Sequence, residues 1–140
     1  MQQIGNNFNS MLNCKYFSKS NFNSLKNINI ESDSQISFEK GCFIGFNNLE
    51  KITLSGVNIL IKNNCFKNCS NLTNIELKKA EKILLLSSVF QNCTKLIEIN
   101  FKFDLELSCG KDCFYGSSIK KANFQSKLVK LGESYFENHF

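Results

Sequence analysis

Apolar residues recur along the chain as two short alternating blocks per unit, with a phenylalanine between one unit's second block and the next unit's first. The first block runs Leu25-x-x-Ile28-x-Ile30, Leu49-x-x-Ile52-x-Leu54, Leu72-x-x-Ile75-x-Leu77, Leu96-x-x-Ile99-x-Phe101 and Ile119-x-x-Ala122-x-Phe124. Its leading residue advances by 24, 23, 24 and 23 positions. The second block pairs Ile36 with Phe38, Ile59 with Ile61, Ile83 with Leu85, Leu107 with Cys109, and Val129 with Leu131. Phe43, Phe66, Phe90, Phe114 and Phe136 follow these pairs at one fixed offset. Alternation at period two marks a strand with one buried face, so every unit predicts two short strands.

A unit of 23 or 24 residues with two strands cannot enclose its own apolar face. Neighbouring units must stack and share one core, which is the logic of a solenoid. The expected fold is β-rich, with short parallel strands in about five repeats and little helix. The leading Leu-x-x-Ile-x-Leu segments form one sheet and the Ile-x-Ile segments a second, with the phenylalanine column between them. Residues 1–20 fit the period poorly, and Ile4, Phe8, Met11, Leu12 and Phe17 read as an N-terminal cap or a degenerate repeat. Residues 21–140 form the solenoid, which stops inside a sixth unit, the pattern of a truncated member or a piece of a longer array.

Leu-x-x-Ile-x-Leu, then Ile-x-Ile, then Phe-x-x-Cys-x-x-Leu at this spacing resembles the BspA-like, Treponema-type leucine-rich repeat family. The segment Leu131-Gly132-Glu133-Ser134-Tyr135-Phe136 is similar to that family's Ile-Gly-x-x-Ala-Phe. The resemblance covers the chain from Leu25 to the C-terminus. It departs where Cys42, Cys65, Val89, Cys113 and Tyr135 replace the family's alanine, and where the family often has a proline and this chain has none. The resemblance implies a leucine-rich-repeat solenoid that binds protein without catalysis. Members in anaerobic bacteria and parasitic protists are mostly regarded as surface antigens or adhesive proteins, which implies surface adhesion or host interaction. The alternative is an intracellular leucine-rich repeat scaffold or adaptor.

Composition narrows the chemistry. The 140 residues amount to one domain, and 42% hydrophobic residues with 14 Phe supply a core. There is no Pro and no Trp, and all 17 basic residues are Lys. Without Arg there is no planar fork for phosphate or carboxylate, and a single His leaves little general-base capacity. The net charge of +5 is spread among interleaved acids, which argues against nucleic acid as the partner. The N-terminal residues carry neither a basic region nor an apolar stretch, so no signal peptide is visible. Ile83–Leu86 is the longest aliphatic run, too short for a membrane span. Compartment stays open between cytoplasm and, by the family resemblance, cell surface.

Seven cysteines invite a metal or disulfide reading, above all Cys65-x-x-x-Cys69 and Cys109-x-x-x-Cys113. The repeat answers it. Cys42, Cys65 and Cys113 share a column with Val89 and Tyr135, and Cys69 and Cys93 one with Phe46, Ser117 and His139. Columns that accept bulky apolar residues are packing positions, where a free thiol serves as a small hydrophobe. Reduced thiols and no metal are expected, although stacked cysteines one unit apart lie within disulfide reach. The sequons at Asn68, Asn71 and Asn92 number about what chance gives for a chain this rich in Asn, Ser and Thr. His139 has no arranged nucleophile, and no phosphate loop, nucleophile elbow or zinc motif occurs. No enzymatic activity and no cofactor are expected.

Function is then expected on the outward positions of the first sheet. These are Asn27, Asn29 and Glu31; Lys51, Thr53 and Ser55; Asn74, Glu76 and Lys78; Glu98, Asn100 and Lys102; Lys121, Asn123 and Gln125. Alternate strand positions share a face, so they form a polar grid of mixed sign. The candidate binding residues are its first two columns: Asn27, Asn29, Lys51, Thr53, Asn74, Glu76, Glu98, Asn100, Lys121 and Asn123. The grid lacks Trp, Tyr and Arg, the usual anchors of tight interfaces.

Overall fold

A computed structural model describes residues 2–4, 11–12, 24–101, 105–119 and 128–131. Its strands form two parallel sheets. The first contains β1 (Gln2–Ile4), β3 (Leu25–Glu31), β5 (Lys51–Ser55), β7 (Asn74–Lys78) and β9 (Glu98–Phe101), paired in that order. The second contains β2 (Met11–Leu12), β4 (Ile36–Phe38), β6 (Asn58–Ile61), β8 (Lys82–Leu85), β10 (Glu106–Cys109) and β11 (Leu128–Leu131), again in order. The chain alternates between the sheets, so each strand pairs with its counterpart one coil away. No helix occurs among the described residues. This is the expected solenoid, and among the described residues both apolar blocks fall on the strands they predict; Ala122 and Phe124 of the last first block lie outside them.

The register carries the apolar columns straight through the stack. Ile28, Ile52, Ile75 and Ile99 align in the first sheet; Ile36, Ile59, Ile83, Leu107 and Val129 align in the second. Inward residues such as Ile28, Ile52, Leu54, Ile59 and Ile83 are buried, and together with the phenylalanines they make one continuous core. Parallel strands buried in this way hold register because a one-residue slip would turn every apolar side chain outward.

Over the first three steps the alternation of 24 and 23 lies in one corner, whereas the fourth step is short after the phenylalanine, with 5 positions from Phe114 to Ile119 against 6 from Phe90 to Leu96. From Phe38 to Ile52, Ile61 to Ile75 and Leu85 to Ile99 the count is a constant 14 positions. The corner between the sheets varies instead, 6 positions from Ile30 to Ile36 and from Leu77 to Ile83 but 5 from Leu54 to Ile59. Gly56 sits in the short corner. A Cβ there would lie 2.8 Å from Ile36 Cδ1, so a side chain on the tighter path would have to displace the buried Ile36.

The constant segment is an arc that returns from the second sheet to the first, and it forms a third wall. Phe43, Phe66, Phe90 and Phe114 point inward from it and are fully buried. Their rings stack coil on coil, with centroids 5.3, 5.6 and 5.8 Å apart and planes within 10° of parallel. Phe38 and Phe46 close the first end of this column edge-on. Two residues on either side of each phenylalanine the backbone enters the left-handed region. Gly41, Asn64, Ser88 and Asp112 do so before it, and Gly45, Asn68, Asn92 and Gly116 after it, with φ between 57° and 76°.

These turns let every other amide point along the stack. The N–H groups of Gly41, Phe43 and Gly45 donate to Asn63, Cys65 and Lys67 of the next coil, and those of Asn64, Phe66 and Asn68 donate to Ser87, Val89 and Gln91. The amides of Ser88, Phe90 and Asn92 repeat the pattern onto Lys111, Cys113 and Tyr115. Amides between them, such as Cys42, Ile44 and Phe46, bond back three residues within their own coil. Backbone groups buried in a loop must find partners, and here the arc supplies them as a strand would.

Candidate interaction face

The outward side chains of the first sheet stand in register. Asn27, Lys51, Asn74 and Glu98 form one row across the strands, and Asn29, Thr53, Glu76 and Asn100 the next. A third row holds Glu31, Ser55 and Lys78. The fold therefore places eight of the ten candidate residues on one surface; Lys121 and Asn123 lie outside the described residues. Lys51, Glu98 and Asn100 are exposed, and Asn27, Asn29, Thr53, Asn74 and Glu76 half-buried. Ser55 departs from the pattern, being only 8% exposed. Glu31 and Lys79, from the coils on either side of it, meet at 3.5 Å.

Electrostatics on the face are local. Lys51 Nζ lies 3.5 Å from Glu76 Oε2, a diagonal pair on adjacent strands. Exposed pairs of this kind are worth about 0–1 kcal/mol. Asn74 Oδ1 is buried without a hydrogen-bond partner, between Lys51 and Glu98 in its row.

The outward face of the second sheet differs. Ser37, Leu60, Leu84 and Ser108 align there, all half-buried, so two leucines stand side by side where the first sheet has charges. The inward columns do not predict this row, because it is formed by the residues between them. The signal was present in Ile59-Leu60-Ile61 and Ile83-Leu84-Leu85, which do not alternate in polarity.

Six of the seven cysteines belong to the core, and Cys14 lies outside the described residues. Cys42, Cys65, Cys69, Cys93, Cys109 and Cys113 are free and buried. Cys69 Sγ donates to Phe43 O at 3.2 Å and Cys93 Sγ to Phe66 O at 3.1 Å. Those carbonyls already accept the amides of Phe46 and Cys69, so each thiol fills a second lone pair one coil away. Burial, reinforced by neighbouring thiols, pushes Cys65 and Cys93 well above the ordinary thiol range. Burial and its Cys109 neighbour do the same to Cys113. Such thiols are poor nucleophiles and poor ligands. An apolar cavity of about 10 Å³ lies between Ile75, Ile99, Phe90 and Phe114, the size of one water and lined by nothing that would hold it.

Among the described residues, no cluster of three or more His, Cys, Asp or Glu is placed to hold a metal. No helix there is long and apolar enough to cross a membrane. A two-sheet parallel solenoid with a leucine-lined sheet and a phenylalanine arc is a leucine-rich repeat protein. Its own subclass follows from the family comparison, in which the BspA type leucine rich repeat region matches residues 10–140 in six copies; the chain belongs to that family. No curated protein and no solved structure matches the chain.

Proposed function

We propose that this protein is a non-catalytic interaction module that binds another protein through the outward face of its first sheet. The observation that carries this is the registered polar rows from Asn27 to Glu98 and from Asn29 to Asn100, which change chemistry from coil to coil on an invariant backbone ladder. Leucine-rich repeat families suit protein interaction, and a stacked array offers an extended surface for it. Contact is broad and individually weak, because the rows hold no Trp, Tyr or Arg. The resemblance to surface and adhesive proteins supports cell-surface attachment as the setting of this binding.

Affinity capture from the source cells, repeated with Lys51→Glu, Glu76→Lys and Glu98→Lys, tests the face. Loss of the captured partner in the variants is the expected result, and equal capture removes the face from consideration. Surface labelling of intact cells tests the setting. A protein labelled only after lysis places the binding inside the cell, as a scaffold or adaptor would.

A further inference from the structure

Four charged side chains of the face are already matched, Lys51 with Glu76 and Glu31 with Lys79. Among the described residues Glu98 and Lys78 make no ion pair, and both are exposed. They stand at opposite ends of the same patch. Lys78 closes β7, which Asn74 opens, and Glu98 is paired in register with Asn74 on the adjoining strand.

We propose that this patch grips an extended protein segment at two points, a basic side chain at Glu98 and Asn74 and an acidic side chain at Lys78. This rests on the interaction reading given above. The acceptor Asn74 Oδ1 has no partner in the fold. A buried acceptor left unpaired is costly, and an ammonium or guanidinium brings the missing donor together with the charge that Glu98 lacks. Asn74 Oδ1 is itself buried while the residue is half-buried, so the grip requires the side chain to turn and present that oxygen to a donor arriving from outside.

Spacing selects the partner's shape. Asn74 and Lys78 are four residues apart on one strand, about 13 Å, and Glu98 lies about 4.8 Å to the side. A segment extended along β7 places its residues i and i+4 over the same two points and on the same side. Mixed sign also selects the class. Phosphate of a nucleic acid or an anionic membrane would be drawn to Lys78 and repelled by Glu98 and Glu76, whereas a polypeptide can carry both signs at the required separation.

The test is to pan a random-peptide display library on the immobilised full chain and to synthesise the consensus. Retained peptides should carry Lys or Arg and Asp or Glu four residues apart. The consensus peptide should bind Glu98→Gln and Lys78→Gln each about two- to five-fold more weakly, as exposed charge pairs do. The double exchange Glu98→Lys with Lys78→Glu should prefer the peptide in which the two charges are swapped. An unchanged circular dichroism spectrum shows that the variants are folded. A consensus without the charge pair, no retained peptide, or an affinity indifferent to both positions overturns the two-point grip. If binding then still falls with Lys51→Glu or Thr53→Lys, the face binds by other contacts and the interaction reading stands. If no substitution on the face matters, both fail together.

Discussion

The arc and the outward face of the first sheet are built on the same coil repeat, yet they obey different rules. In the arc, the constraints are divided among neighbouring positions: Phe66 and Cys69 are buried, Asn68 holds the left-handed backbone, and the amides of Phe66 and Asn68 donate to the next coil. On the face, only the backbone ladder repeats, and the row Asn27, Lys51, Asn74, Glu98 changes charge at every step. The difference separates what holds the solenoid from what it offers a partner. A repeat protein can vary its face because the arc and the inward columns carry the stability.

Removing a ring from the arc should break the comparison most visibly. Phe66 stacks on Phe43 at one side and Phe90 at the other and is fully buried. Phe66→Ala is expected to lower stability to urea by about 3–5 kcal/mol, as large core truncations do. Thr53→Ala on the face should stay within about 0.5 kcal/mol. Comparable losses at the two sites would erase the distinction.

Backbone conformation gives the next largest effect. Gly116 has φ +76°, and a Cβ there would press against Asn92 Oδ1. Gly116→Ala should cost about 1–3 kcal/mol in the same measurement, from the left-handed strain together with the displaced asparagine. The opposite change sharpens the point, since Ser88 occupies the left-handed region with a side chain that disfavours it. Ser88→Gly relieves that strain and should stabilise the fold by less than about 1 kcal/mol.

The thiols provide a graded test. Burial raises the folded-state values of Cys65, Cys93 and Cys113, so above the ordinary thiol range the unfolded chain loses protons that the folded chain keeps. Fewer protons bound in the unfolded state means that stability falls as pH rises. Their contribution is therefore whole below the unfolded thiol range and declines from about pH 9 upward. Stability measured across this window in wild type and in Cys65→Ala should show a shallower decline in the variant. Parallel declines would mean that Cys65 keeps an ordinary thiol value.

Much of this was legible in the sequence, and for a physical reason. Strand alternation is local, so Leu25-x-x-Ile28-x-Ile30 and Ile36 with Phe38 declare β3 and β4 without reference to the rest of the chain. The repeat then supplies the long-range pairing that single strands never reveal. Thiol packing could likewise be read from column mates such as Val89 and Phe46. What escaped is the arc's hydrogen-bond ladder, because bonds such as Phe43 N–H to Cys65 O involve no side chain. A trace of it was available. Gly41, Asn64, Ser88 and Asp112, with Gly45, Asn68, Asn92 and Gly116, recur two residues from each phenylalanine and are mostly types that tolerate positive φ. Part of the asparagine excess therefore reflects backbone geometry. The binding chemistry of the face stays less legible, since pairings such as Lys51 with Glu76 depend on side-chain reach across strands.

Native-state amide hydrogen exchange tests most directly whether the arc is a third hydrogen-bonded wall. The amides of Phe66, Asn68, Phe90 and Asn92 donate to the next coil, and should be protected as strongly as those of Ile52 and Ile75 within the first sheet. Arc amides that exchange as fast as an open surface loop, while the strands remain protected, would contradict it.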